Sequence, residues 1–283
     1  ACECDAVREN VAGAIVNIAA CEDGRRVMAR DDVRGVLVAM GAACECDAVR
    51  ENVANAIRIL STAGKEAMGR EDVMARDDVR GVLVAMGNAC GSDKARESVA
   101  RATWKICSLE EGWRLMARDE VVDMLVAVGN ACGSDGVRMQ VAAAFHNISI
   151  SAEGRRVINR GDVWGVLVAM GGSCRSDAVR GLVAGVILNI AAPGVGEKVM
   201  AREDVATVLV AMGAACRSDA VRRNVAGAIR NVAKVWVDSS LSHDCVFETD
   251  WRTVMARDDV CDVLVSMGAA CECDAVRENV AGA

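Results

Sequence analysis

The sequence predicts an all-α fold, a solenoid of three helices per ~42-residue repeat. Three observations carry that prediction. A block of the form A-C-x-x-D-x-[VA]-R recurs at Ala1, Ala43, Ala89, Ala131, Ser173, Ala215 and Ala270, at steps of 42, 46, 42, 42, 42 and 55 residues. The chain is 53% hydrophobic but only 2% aromatic, with one proline and no tyrosine, the composition of a Val/Ala/Ile/Leu/Met core between closely stacked helices. Apolar residues within each copy fall at helical spacing, so each repeat has faces to bury against its neighbours.

Residues 22–62 give one full cycle. The segment from Gly24 to Arg30 is short and reads as one or two helical turns. Gly24 recurs as Gly64, Gly112, Gly154 and Gly196, which predicts a C′ glycine closing the preceding helix. Asp31 and Asp32 then open a second helix through Val33 to Met40, acidic residues at its positive end. Gly41 recurs as Gly87, Gly129, Gly171, Gly213 and Gly268, a cost inside a helix that close helix approach explains. The third helix opens at Asp47, whose slot holds Asp in all seven copies and is expected to cap it. In the first copy Val7, Val11, Ile15 and Ile18 form one apolar stripe.

This pattern resembles the armadillo repeat: a short first helix, a buried second, and a long third helix ending in Asn-(Ile/Val)-Ala or a near variant. The matching endings are Asn17-Ile-Ala, Asn147-Ile-Ser, Asn189-Ile-Ala and Asn231-Val-Ala. The resemblance covers essentially residues 1–283 and implies a right-handed α-α superhelix, a single solenoid of about six repeats with truncated repeats at both ends. Segment 234–250 is expected as an inserted loop carrying Trp236, His243, Cys245 and Phe247, and Met68–Val73 followed by Met74–Val79 reads as a local duplication. Residues 1–14 and 270–283 are identical and lie mid-repeat, so a segment of a longer array associating end to end is expected.

Composition bounds the function. The formal net charge of −7 argues against a nucleic-acid partner. Apolar runs such as Val36–Met40 are far short of the roughly 20 residues that span a bilayer. Seven of the fourteen cysteines occupy one repeat slot (Cys2, Cys44, Cys90, Cys132, Cys174, Cys216 and Cys271), and stacked repeats hold equivalent residues too far apart for disulfides. Buried thiols in a reducing compartment follow: the cytoplasm, with the nucleus as the alternative. Cys-Glu-Cys at 2–4, 44–46 and 271–273 lacks a second ligand pair, so no metal or other cofactor is expected. His146 and His243 are the only histidines, and no G-x-S-x-G, P-loop or dinucleotide motif is present; the expectation is a non-enzymatic protein.

Two arginine ladders read as structural. Arg8, Arg50, Arg96, Arg138, Arg180, Arg222 and Arg277 lie three residues after the slot Asp, a spacing that permits an i,i+3 pair or a bridge to the neighbouring repeat. Arg30, Arg76, Arg118, Arg160, Arg202 and Arg257 end the first helix beside the acidic start of the second.

The resemblance implies that the third helices line a groove whose Asn residues bond the backbone of an extended peptide. By position that role falls on Asn17, Asn147, Asn189 and Asn231; Ile59 and Lys105 break the row. Nuclear-import armadillo receptors place Trp four residues before the Asn, where this chain has Gly13, Asn55, Arg101, Ala143, Gly185 and Gly227. A lysine-rich signal is therefore a poor match, and Arg58, Arg101, Lys105 and His146, with Trp104 as anchor, point to an extended partner of mixed or acidic character. The alternative is a structural array in a filamentous or cytoskeletal assembly.

Overall fold

The computed structural model describes residues 4–62, 74–109, 112–192, 202–239, 257–271 and 273–283. Every regular element among them is a helix. They divide into two compact units, Ala1–Ile148 and Ser149–Ala283.

In the first unit, α1 (Asp5–Ile18), α4 (Asp47–Leu60), α6 (Asp93–Cys107) and α9 (Asp135–Ser149) are third helices. Second helices are α3 (Asp31–Ala43), α5 (Asp77–Ala89) and α8 (Asp119–Asn130); α2 (Glu22–Met28) and α7 (Gly112–Met116) are the short first helices. Like stacks on like: α1 on α4 on α6, and α3 on α5 on α8. In the second unit α10 (Ala152–Ile158) is a first helix. Its second helices are α11 (Gly161–Ser173), α13 (Glu203–Ala215) and α15 (Asp258–Ala270), and its third helices are α12 (Asp177–Ile190), α14 (Asp219–Ser239) and α16 (Asp274–Ala281). The same stacking holds there, α12 on α14 on α16 and α11 on α13 on α15.

The core lies between the helices of each repeat and between neighbouring repeats. In α4 the stripe Val49, Val53, Ile57 and Leu60 is at most 2% exposed, each side chain contributing about 1.5–3 kcal/mol. The equivalent residues of α1 behave differently: Ile15 is buried, but Val7, Val11 and Ile18 are 45%, 39% and 45% exposed. The stripe predicted for the first copy is thus present but uncovered, since among the described residues no helix lies on that side of α1.

The recurring glycines are places of close approach, with two distinct causes. A Cβ on Gly41 would meet Val82 Cγ2 at 2.6 Å, and one on Gly171 would meet Val208 Cγ2 at 2.8 Å, so second helices touch at the expected slot. Gly24 departs from expectation. It lies inside α2 instead of closing α1, whose C-cap is Ala19, and a Cβ there would sit 1.7 Å from the Ile18 carbonyl oxygen. The end of the third helix crosses the first helix at backbone contact.

The slot Asp also differs from its expected role. The residue preceding each third helix, such as Cys46 or Ser92, is the N-cap, and Asp is the first helical residue. Its carboxylate binds the Arg three residues on, as in Asp5–Arg8 at 2.6 Å, Asp47–Arg50 at 2.8 Å and Asp177–Arg180 at 2.7 Å. It then reaches into the next repeat: Asp5 accepts the Cys46 N–H, Asp93 the Gly133 N–H and Asp177 the Arg217 N–H, at 2.9, 3.0 and 2.9 Å. Helix spacing alone cannot reveal that forward reach.

The second arginine ladder forms short forks. Arg30 binds both oxygens of Asp32, and Arg160, Arg202 and Arg257 repeat this with Asp162, Asp204 and Asp259. Cys44, Cys132, Cys174 and Cys216 each donate their S–H to the Gly carbonyl three residues earlier, tying off the second helix. Of segment 234–250, residues 234–239 continue α14 as helix instead of starting a loop; His243, Cys245 and Phe247 lie outside the described residues. The copy Met68–Val73 also lies outside them.

Candidate peptide-binding face

Each inner third helix keeps one stripe partly open to solvent. In α4 it is Glu51, Asn52, Asn55, Arg58 and Ile59, while Val49, Val53, Ala54, Ala56, Ile57 and Leu60 are buried. Steps of 4, 7 and 8 residues along a helix return to one face. The same stripe carries Glu97, Arg101, Trp104 and Lys105 on α6, and Met139, His146 and Asn147 on α9. One repeat slot is therefore occupied in turn by Arg58, Trp104 and His146, and its neighbour by Ile59, Lys105 and Asn147. In the second unit the stripe holds Gly181, Leu182, Leu188 and Asn189 on α12, then Arg223, Asn224, Arg230 and Asn231 on α14. Asn17 is exposed on α1.

The amides hold neighbouring helices in register. Asn147 Nδ2 donates to the Trp104 carbonyl at 3.5 Å and Asn231 Nδ2 to the Leu188 carbonyl at 3.1 Å, each 43 residues back; Asn189 Nδ2 donates to Ser149 Oγ at 2.8 Å. An amide has two N–H groups and an acceptor oxygen, so one bond to a neighbouring helix leaves capacity for a guest. A second row of amides does the same work two helical turns earlier: Asn52 to the Glu9 carbonyl at 3.3 Å, Asn224 to Gly181 at 2.9 Å and Asn279 to Arg223 at 3.3 Å. Sequence reasoning missed this row, although the recurring Asn-Val of Asn52-Val53, Asn224-Val225 and Asn279-Val280 marks it.

Charge on the first unit's face is uneven. Glu97 is bonded to Arg101, and Glu51 to Lys94 at 3.0 Å. Arg58 and Lys105 have no carboxylate partner among the described residues. Burial, aided by the neighbouring Arg101 charge, pushes the Arg58 pKa below its usual value. Burial likewise pushes His146 down, against a hydrogen bond with Asn147, so the imidazole is neutral at pH 7. Among the described residues no group of three His, Cys, Asp or Glu side chains could hold a metal ion, and no helix is long and apolar enough to cross a membrane.

No family model matches the sequence, and no curated protein sequence matches it. Solved structures do. A designed armadillo repeat protein aligns at TM-score 0.63 and 15% identity, over 79% of this chain and 92% of its own. A designed armadillo repeat protein in complex with the peptide (KR)4 aligns at TM-score 0.58 and 14% identity, over 79% and 91%. An engineered protein aligns at TM-score 0.65 and 19% identity, over 97% and 73%. The chain has an armadillo-like repeat fold.

Proposed function

We propose that this armadillo-like chain is a non-enzymatic scaffold that binds an extended segment of another protein along its third-helix face. The observation that carries the reading is the stripe itself: partly open and repeated on α4, α6 and α9 of the first unit, where it is mainly polar, and on α12 and α14 of the second. A fold shared with a designed armadillo repeat protein that is in complex with a peptide supports peptide binding.

Magnitudes locate the anchors. Two amide contacts within one unit, from Asn17 and Asn147 or from Asn189 and Asn231, at about 0.5–1.5 kcal/mol each, total about 1–3 kcal/mol. Micromolar binding requires about 8 kcal/mol before ordering costs. Trp104, half-buried beside Lys105 and one turn from Arg101, supplies the missing apolar surface, since tryptophan and arginine are typical binding hot spots. His146, neutral at pH 7, extends that row as a flat, uncharged neighbour. The excess positive charge of this face favours an acidic or mixed segment over a basic one.

A pull-down from cell extract with the wild-type chain against Trp104→Ala plus Asn147→Ala tests the reading. Captured partners should be lost or depleted with the double variant; equal capture by both chains would remove the face from consideration.

A second reading, a structural array that stacks end to end, is favoured by one observation: Val7, Val11, Ile18, Val27 and Val36 are all exposed on α1, α2 and α3. Sedimentation that depends on protein concentration, and weakens in a Val11→Lys variant, would support it. A concentration-independent monomer would oppose it.

A further inference from the structure

Four arginines in the described structure bury an Nε–H that bonds to nothing: Arg34, Arg50, Arg58 and Arg155. Three of them have their terminal nitrogens engaged. Arg34 binds Asp31 and Asp78, Arg50 binds Asp47 and the Cys44 carbonyl, and Arg155 binds the Ser149 and Ile150 carbonyls. Arg58 differs. Among the described residues no acceptor lies within bonding distance of any of its guanidinium nitrogens. A half-buried guanidinium in that state has lost solvation without compensation, which is costly unless something else supplies the anion.

Its surroundings match that need. Arg101 stands close enough on α6 to repel it, and Lys105 lies one turn further along the same stripe. The one nearby carboxylate on α6, Glu97, is bonded to Arg101 and leans toward α9, where a Cβ on Gly136 would meet its Oε2 at 2.6 Å. Glu97 therefore neutralises Arg101 alone. Trp104 occupies the same slot as Arg58 one repeat on. In a chain of net charge −7, two cations on one stripe without a carboxylate among the described residues, Arg58 and Lys105, run against the overall balance.

Resting on the peptide-binding reading above, we infer that Arg58 and Lys105, with Trp104 in the adjoining slot, form a subsite for one oxyanion side chain of the bound segment. A planar guanidinium pairs both with a carboxylate and with a phosphate, so a glutamate, an aspartate or a phosphorylated serine satisfies the same chemistry. The subsite selects one residue of the guest; the amide rows hold its backbone without regard to sequence.

The test is a positional-scanning array of immobilised decapeptides, with Glu, Asp, phosphoserine, Gln or Lys fixed at each position in turn, probed with the folded full chain and with Arg58→Gln. Wild type should prefer an anionic residue at one position by about 10-fold or more over Gln, and Arg58→Gln should lose that preference while keeping its background binding to the array. The Glu and phosphoserine arms decide which oxyanion is preferred. Melting by circular dichroism checks that the variant folds; Lys105→Gln, at the subsite rim, serves as the second variant and should lose part of the preference.

Peptide binding with no anionic preference, or with the same preference in Arg58→Gln and Lys105→Gln, would overturn the subsite while leaving the peptide-binding face intact. Binding to no peptide at all would overturn both. A single-stranded oligonucleotide competing as well as the best peptide would show that the charge serves a polyanion backbone, and would overturn the side-chain assignment.

Discussion

Asp47 accepts the backbone N–H of Ser92 at 2.5 Å, a bond thrown from the first turn of one third helix into the turn that opens the next. The same carboxylate accepts from Gly91 at 3.1 Å and binds Arg50 at 2.8 Å. One side chain thus fixes its own helix and the entry of its successor.

Removing it should be expensive. Asp47→Ala leaves Arg50 half-paired and two backbone N–H groups unsatisfied, and is expected to cost about 2–3 kcal/mol. Urea unfolding of the variant against wild type checks this; a loss below about 0.5 kcal/mol would mean that water replaces the carboxylate.

The same bonds predict acid sensitivity. Burial pulls the Asp47 pKa up, but bonds from Ser92, Arg50 and Gly91 outweigh it and hold the carboxyl at about 2, against an ordinary 3.8. Asp177, bonded by Arg217 and Arg180, is also lowered. A depressed folded-state pKa contributes stability that is complete above the unfolded value and lost as pH falls toward the folded one. The melting temperature should therefore hold from pH 7 to about pH 4 and fall between about pH 4 and 2. Asp47→Asn should flatten that fall.

Two glycines separate rigid from yielding contacts. A Cβ on Gly112 would sit 1.8 Å from the Ile106 carbonyl oxygen, which is backbone, whereas one on Gly87 would meet the flexible Met124 side chain at 2.5 Å. Gly112→Ala should cost about 3 kcal/mol or more, and Gly87→Ala about 1 kcal/mol, because Met124 changes rotamer. Paired denaturation curves check the order, and equal costs would contradict it.

The thiols should fall into two kinetic classes. Cys4, Cys21 and Cys261 are exposed, while burial, helped by nearby Asp47, pushes the Cys90 pKa up to about 12, and full burial pushes Cys107 higher still. With a disulfide reagent at pH 8 the exposed thiols should react within minutes. Cys90 and Cys107 should react only at the rate of unfolding, as peptide mapping would show.

The period, the three-helix layer and the buried stripe of the third helix were legible because a solenoid repeats its own burial pattern: Val49, Val53 and Ile57 say in the second copy what Val7, Val11 and Ile15 say in the first. The close-packing glycines at the slot of Gly41 were legible for the same reason. What spacing could not reveal is direction across repeats. Asp47 stands one residue inside its helix, next to the cap Cys46, and only coordinates show its carboxylate turning forward to Ser92. Gly24 follows a helix end, yet its purpose is to admit the Ile18 carbonyl from the side. Of the candidate face, Arg58, Arg101, Trp104, Lys105, His146 and Asn147 were expected at the groove from the armadillo resemblance, and the repeat spacing gives several of them shared slots. The amide bonds back to the previous helix, and the second amide row at Asn52, needed the stacked partners to become visible.

The joints between third helices are indifferent to the length of chain that runs between them. Asp5 reaches Glu45 across 40 residues, whereas Asp47 reaches Gly91 across 44, and the geometry is the same. Asn224 finds its carbonyl 43 residues back and Asn279 finds its own 56 back, the difference being the 13 extra residues of that repeat, some of which lengthen α14. The described partners of these joints are the same on either side of the added residues. A lineage carrying such a chain is free to graft new segments between those joints while the seam between layers stays as it was.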